Sequence, residues 1–397
     1  MTTATRIDTP PDISEALLNA PHPSRFRGVR TGPAPTEGTL KVEDLAVTFR
    51  SKRKAVEAVR GISFTVEAGK TLVLLGESGS GKSVSARAVM RLYSDAVTVT
   101  GRATLGGVDL FDLDDRAMQS IRGRDMALVP QDASGSLDPL RRVGSQIAEV
   151  LRRHGIEHGR KAARQRAADL LAQVGIPDPA RAVRSYPHEL SGGMRQRVLI
   201  AIAIACEPKV LVADEPTTAL DVTIQAQVLD LFAKLQADLG MGLLLVTHDV
   251  GVALQMADRV AVMYAGRLVE EGPGATVLGE SAHPYTAGLL RAVPTPETPR
   301  GQLQAIPGQP PAAGEAVDEG CSFAPRCVFA VGECGTHRPA LVPVGAVHWA
   351  ACPVVNGRVP VAVGPPPSSA VGPSPSSAVG PPPSSAVGPP QPGAEAS

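Results

Sequence analysis

Eight residues constrain this chain more than any others: Gly76-Glu77-Ser78-Gly79-Ser80-Gly81-Lys82-Ser83, directly after the apolar run Thr71-Leu72-Val73-Leu74-Leu75. The pattern is G-x-x-x-x-G-K-[ST], and it lies in the context it needs, between a short buried strand and a helix predicted over Val84 to Leu92. Gly76, Gly79 and Gly81 let the backbone curl, carrying Ser78 and Ser80 with it, until successive N–H groups face inward at phosphate oxygens. The helix N-terminus adds partial positive charge. Lys82 is placed to reach the β- and γ-phosphates, and the Ser83 hydroxyl to ligate Mg²⁺. The stretch reads as a nucleotide triphosphate site in an α/β fold.

Other apolar runs end in polar groups, as open α/β sheets require of strands that present ligand groups at their C-terminal ends. Lys209-Val210-Leu211-Val212-Ala213 leads into Asp214 and Glu215. Asp214 fits an acid that holds Mg²⁺ through water, and Glu215 a base for the water that attacks the γ-phosphate. Leu243 to Val246 leads into Thr247-His248-Asp249, where a neutral His248 can contact the γ-phosphate and orient the water; a lone histidine is more often structural, so its weight comes from the set. Asp125 to Val129 leads into Pro130-Gln131. Gln131 reads either as a ligand to metal or water, or as an ordinary polar loop residue. Leu190-Ser191-Gly192-Gly193 opens a long apolar helix, and a hydroxyl with two bare glycines at a helix start is a second phosphate-binding device or a flexible N-cap.

Upstream, Leu40 to Phe49 and Ile62 to Val66 read as strands of an antiparallel layer, with Val97 to Leu105 a further strand. Phe49 suits either stacking on an adenine ring or half-burial on its strand. Val143 to Tyr186 reads as helical, and Arg259 to Glu271 as a closing hairpin. The 397 residues hold 39 basic and 39 acidic side chains, which gives no argument for nucleic acid as a partner. No apolar run nears the ~18 residues of a membrane span, and Met1 to Ala20 has no apolar signal-peptide core. A cytosolic protein is expected, attached to a membrane through partners.

Taken in order, Gly76 to Ser83, Gln131, Leu190 to Arg197, Asp214-Glu215, Asp221 and His248 resemble the nucleotide-binding subunit of an ABC transporter. The resemblance spans about residues 40 to 290. It implies a P-loop NTPase (RecA-like) domain over 39–290, with an antiparallel β subdomain and an α-helical subdomain near 133–190. In that family Ser191, Gly192 and Gly193 belong to the signature motif, Asp221 to the D-loop, and His248 is the switch histidine. Glu77, Tyr186 to Glu189, Ser136 to Pro139 and His283-Pro284-Tyr285-Thr286 are similar to importers of oligopeptides and dipeptides, which have relatives for nickel, glutathione and other solutes. The resemblance implies ATP hydrolysis, two transmembrane permease subunits, a second ATPase subunit (a paralogue or another copy) and, indirectly, an extracytoplasmic peptide-binding protein. It places the chain at the cytoplasmic face of the membrane. A soluble ABC ATPase without a transport role is the alternative.

Four of the five cysteines fall late, at Cys321, Cys327, Cys334 and Cys352, with 5, 6 and 17 residues between them. Four thiolates can hold zinc or an iron–sulfur cluster, or the side chains can simply be buried; the short C-x2-C knuckle of most zinc ribbons is absent. The region 291–362 resembles the C-terminal segment of peptide-importer ATPases, which implies a 4Fe–4S cluster on these cysteines. Cys206 reads as core packing. Residues 1–38 read as a mobile extension, and 363–397, with its eight-residue Val-Gly-Pro-Pro-Pro-Ser-Ser-Ala repeat, as a solvated polyproline-like tail.

Overall fold

Alternating burial along Leu40–Arg50 (β1) marks a strand with one face in a core. It pairs antiparallel with Ala55–Val66 (β2) and Val97–Leu105 (β4), and Val108–Asp109 (β5) completes a four-stranded sheet ordered β2-β1-β4-β5. β2 reaches back to Ala55, beyond the Ile62 start expected from sequence, because its early residues pair with the end of β1. The computed structural model describes residues 39–50, 55–94, 96–218, 220–294, 305–312, 314–315 and 319–354. The expected N-terminal extension and proline-rich tail lie outside these residues.

The second sheet is ordered β11-β12-β10-β9-β3-β8-β7-β6. Its strands are β3 (Thr71–Leu75), β6 (Met126–Val129), β7 (Val210–Asp214), β8 (Gly242–Thr247), β9 (Arg259–Tyr264), β10 (Arg267–Pro273), β11 (Val342–Gly345) and β12 (His348–Ala350). From β6 through β7, β8 and β3 to β9 the pairing is parallel. These strands are apolar throughout because both faces are covered. Leu72 and Leu74 enter one core with Leu45, Val47 and Phe64 of the antiparallel sheet. Val73 and Leu75 enter the other with Val198, Ile200 and Phe232. Truncating Leu74 to Ala in so closed a layer would cost about 2–5 kcal/mol. Parallel alignment brings the C-terminal ends of β3, β6, β7 and β8 to one rim, which positions the site.

Helix α1 (Lys82–Val89) begins two residues before the expected start, since Gly81 at φ 103 already turns the chain into it. The stretch expected as helical over Val143 to Tyr186 is broken. α2 (Val143–Arg153) and α3 (Arg160–Gln173) end before Gly155 and Gly175, whose φ values of 69° and 76° terminate helices. α4 (Gly192–Ile204) and α5 (Val222–Leu239) cover the sheet, and α6 (Val250–Met256) follows β8. α7 (Pro284–Arg291) precedes the C-terminal segment, which returns through β12 to pair with β10. Glu270, fully buried on β10, accepts from the backbone N–H groups of Ala282 (2.6 Å) and His283 (3.0 Å) and bonds the Nε2 of His348 (2.7 Å). That carboxylate ties the late segment to the sheet.

Candidate active site

The loop after β3 is shaped by what surrounds it. A Cβ on Gly76 would stand 2.3 Å from the Met263 carbonyl oxygen, and one on Gly81 2.7 Å from that of Ala58, so only glycine fits either position. Ser80 is buried, and its carbonyl accepts from the Gly266 N–H at 2.9 Å, while Ser78 and Gly79 are exposed at the loop's crest. Lys82 is 4% exposed and folds back over the loop, its Nζ donating to the carbonyls of Gly76 (2.8 Å) and Glu77 (2.9 Å). Burial lowers its pKa from the ordinary lysine value, and the carboxylates of Glu215, Asp214 and Glu77 oppose that shift. The ammonium thus faces three carboxylates while held on the loop carbonyls.

At the ends of β7 and β8 the predicted acids and histidine converge. The Ser83 hydroxyl lies 2.5 Å from Asp214 Oδ1, and the Arg87 guanidinium donates to Asp214 Oδ2 at 3.2 Å. A hydroxyl and a carboxylate side by side are hard oxygen donors of the kind Mg²⁺ takes. Glu215 carries three partners: Gln131 Nε2 (3.1 Å) and Thr218 Oγ1 (3.0 Å) on Oε2, and His248 Nδ1 (3.2 Å) on Oε1. Its backbone sits at φ 48°, a left-handed conformation rare for a non-glycine residue, held by an N–H bond to the Val246 carbonyl at 2.9 Å. Strain of this kind, of order 1–3 kcal/mol, collects at functional sites. The Glu215 side chain is 11% exposed, whereas that of His248 is 49% exposed and open to the rim.

The remaining predicted residues lie apart. Ser191 caps α4, accepting from the Met194 N–H at 3.3 Å. A Cβ on Gly193 would press on Ile224 at 2.8 Å, but one on Gly192 would meet nothing. Gly193 is therefore explained by close packing against α5, and Gly192 is not explained by this chain's own packing. Asp221 caps α5 through the Ile224 N–H at 2.9 Å. Phe49 is half-buried and packs edge-to-face on Tyr93, centroids 5.3 Å apart.

Sequence reasoning missed three partners of the loop and its rim. Thr218 bonds Glu215; Tyr285 Oη accepts the Glu77 N–H at 2.8 Å; and Arg326 grips the Glu77 carboxylate with both terminal nitrogens, at 2.7 and 3.0 Å. Thr218 was legible as a hydroxyl three residues past the acid. Nothing local announces the other two, 208 and 249 residues away.

The late cysteines gather. Cys334 and Cys352 are buried with Val354 and pack against Cys321, whose N–H donates to the Cys334 carbonyl at 2.7 Å. Burial pushes the Cys327 thiol up to about 11 and raises that of Cys321, the neighbouring cysteines adding to both. Among the described residues no group of three or more His, Cys, Asp or Glu is arranged to hold a metal ion. Cys206, half-buried, has its thiol raised to about 11 by desolvation.

Residues 59–218 match the ABC transporter family, and this chain belongs to it. Residues 269–334 match the oligopeptide/dipeptide transporter C-terminal region, which places it in the peptide-transport branch of the ATP-binding proteins. The oligopeptide transport ATP-binding protein OppD of Mycobacterium tuberculosis is 49% identical over 324 residues, 80% of this chain and 53% of that protein. The chain thus spans about half the length of that relative. OppD of Bacillus subtilis is 45% identical over 313 residues, 78% of this chain and 87% of its own length. Among solved structures, the ATP-binding cassette MJ0796, a dimer in a post-hydrolysis state bound to ADP and Pi, aligns with a TM-score of 0.53 at 27% identity. It covers 59% of this chain and 98% of its own.

Proposed function

We propose that this chain is the ATP-hydrolysing subunit of an importer that takes up di- and oligopeptides across the cytoplasmic membrane. The observation that carries the reading is the gathering at one strand rim of Lys82 over its loop, Ser83 on Asp214, and Gln131 and His248 on Glu215. Backbone N–H groups of the loop after Glu77 receive the phosphates, Lys82 exchanges loop carbonyls for phosphate oxygens, and Phe49 and Tyr93 offer rings to the base. Ser83, Asp214 and Gln131 would hold Mg²⁺, which supplies neutralisation of the phosphate charge. Glu215, steadied by Gln131, Thr218 and His248, takes the proton of the attacking water, and His248 faces the γ-phosphate.

The site is half of a pair. Gly192 is bare and exposed with no packing reason in its own chain, which supports a role for Ser191-Gly192-Gly193 against the nucleotide of a second ABC ATPase subunit, a paralogue or a copy. Asp221 is exposed at the start of α5, the helix on which Gly193 packs. Closure of two such subunits on ATP and their opening after hydrolysis would drive two transmembrane permeases between inward and outward states. Among the described residues no helix is long and apolar enough to cross a membrane, so attachment to its cytoplasmic face would run through those permeases. The match over residues 269–334 supports peptide as cargo, delivered by an extracytoplasmic binding protein. The closeness of the late cysteines supports a metal group there, an iron–sulfur cluster or, as the alternative, zinc, although among the described residues no group of three or more ligands is arranged to hold a metal ion of either kind.

The test is peptide uptake into proteoliposomes holding the chain with its permeases, ATP inside. Lys82→Ala should stop hydrolysis and uptake together. Uptake that persisted in that variant would refute the proposal.

A further inference from the structure

The phosphate loop is fastened from outside the nucleotide-binding core. Glu77, the second residue of the loop, has its N–H committed to Tyr285 Oη (2.8 Å) and its carboxylate committed to Arg326 (2.7 and 3.0 Å). Arg326 belongs to the C-terminal segment, on the single turn Ala324–Arg326 between Cys321 and Cys327. Its side chain is 5% exposed and fully engaged. The Nε donates to the Pro307 carbonyl at 2.9 Å, and the guanidinium lies 5.8 Å and 5.9 Å from the ring centroids of Tyr264 and Phe323. Those rings pack on Tyr285, so one aromatic group holds both Arg326 and the hydroxyl that takes the Glu77 N–H.

Electrostatics explains why such a fastening is needed. A carboxylate inside a loop that must receive a polyanion works against binding unless it is neutralised, and Glu77, after Glu215 and Asp214, is one of three carboxylates that oppose the burial-driven fall in the Lys82 pKa. Its carbonyl also holds the Lys82 ammonium. A bidentate guanidinium cancels the charge and fixes the carboxylate in one plane, which a lysine could not do. With the guanidinium buried and the carboxylate 27% exposed, the pair is still sensitive to loss of either partner alone, because the survivor is left charged and unpaired.

We propose that Arg326 is a positioning residue of the ATP site. It neutralises Glu77 and holds the loop in its phosphate-receiving shape, so that nucleotide affinity depends on the docked C-terminal segment. The proposal rests on the reading of Gly76 to Ser83 as the triphosphate site, and the experiment separates the two. ATP binding is measured with the full chain and a fluorescent ATP analogue with Mg²⁺, beside KM and kcat of the reconstituted complex. Arg326→Gln should weaken ATP by about tenfold, the scale expected on stranding a partly buried charge, raising KM more than it lowers kcat. Glu77→Gln in the same chain removes the stranded carboxylate and should restore most of the affinity, and Arg326→Lys should fall between. Wild-type affinity in Arg326→Gln would overturn the proposal. So would a loss that Glu77→Gln does not relieve and that runs parallel to a fall in Tm, since that describes a merely structural arginine. Unchanged binding in Lys82→Ala would overturn the loop assignment, and this inference with it.

Discussion

Acidification should loosen this fold at one histidine, and the size of the effect follows from the structure. His283 is buried, its Nδ1 accepting the Tyr285 N–H at 3.1 Å at the start of α7. Desolvation lowers its pKa from 6.5 to about 4, with Glu270 opposing. The native state therefore keeps His283 neutral, whereas the unfolded chain protonates it below about pH 6.5. Stability is full above the unfolded value and is lost as pH falls towards the folded one. The gap between 6.5 and about 4, at about 1.4 kcal/mol per pH unit, comes to about 3 kcal/mol, of which about 2 is lost by pH 5. Protonation of Nδ1 also removes the acceptor of the Tyr285 N–H at the start of the helix that carries Tyr285. The assay is urea unfolding of the full chain from pH 8 to pH 5, wild type against His283→Asn, whose side-chain oxygen can cap without titrating. The wild type should lose about 2 kcal/mol more than the variant over that range. Parallel curves would refute the assignment of a neutral, buried His283.

The signature residues separate structure from partnership. Gly192→Ala should leave Tm unchanged, since the new methyl meets nothing, yet lower hydrolysis by the two-subunit complex. Ser191→Arg in one subunit should damage the site on the other; a fully active complex would sink the shared-site reading. The four late cysteines should bring iron in excess over zinc, with broad visible absorbance, when the protein is purified without oxygen. Colourless, iron-free protein that still transports peptide would remove the cluster.

Much of the candidate site's rim was legible because its residues follow strands that announce themselves. Apolar runs such as Val210 to Ala213 can end in Asp214 and Glu215 only at a place where acids have a use, and their parallel pairing then brings separate strand ends together. The glycine loop was legible for a similar reason, its residue types being dictated by backbone shape. The helical segment was read too long, since Gly155 and Gly175 end helices that their flanking apolar positions suggest continuing. Phe49 was readable as an aromatic on a strand, but its contact with Tyr93 was not. His283 and Tyr285 stood out only as marks of a resemblance, and their capping and fastening roles depend on a fold that returns the chain to its own loop. Arg326 and Glu77 are the extreme case: a charge pair across 249 residues leaves no pattern in a single sequence.

The central claim is that Glu215, held by Gln131, Thr218 and His248, is the base of an ATP site whose phosphates sit on Gly76 to Ser83. The most direct measurement is phosphate release by the reconstituted complex with Glu215→Gln in this chain, beside its ATP affinity. The amide keeps the size of the carboxylate and loses its basicity, so hydrolysis at this site should fall about 10²–10⁴-fold with affinity retained. Hydrolysis at the wild-type rate from this site would contradict the account.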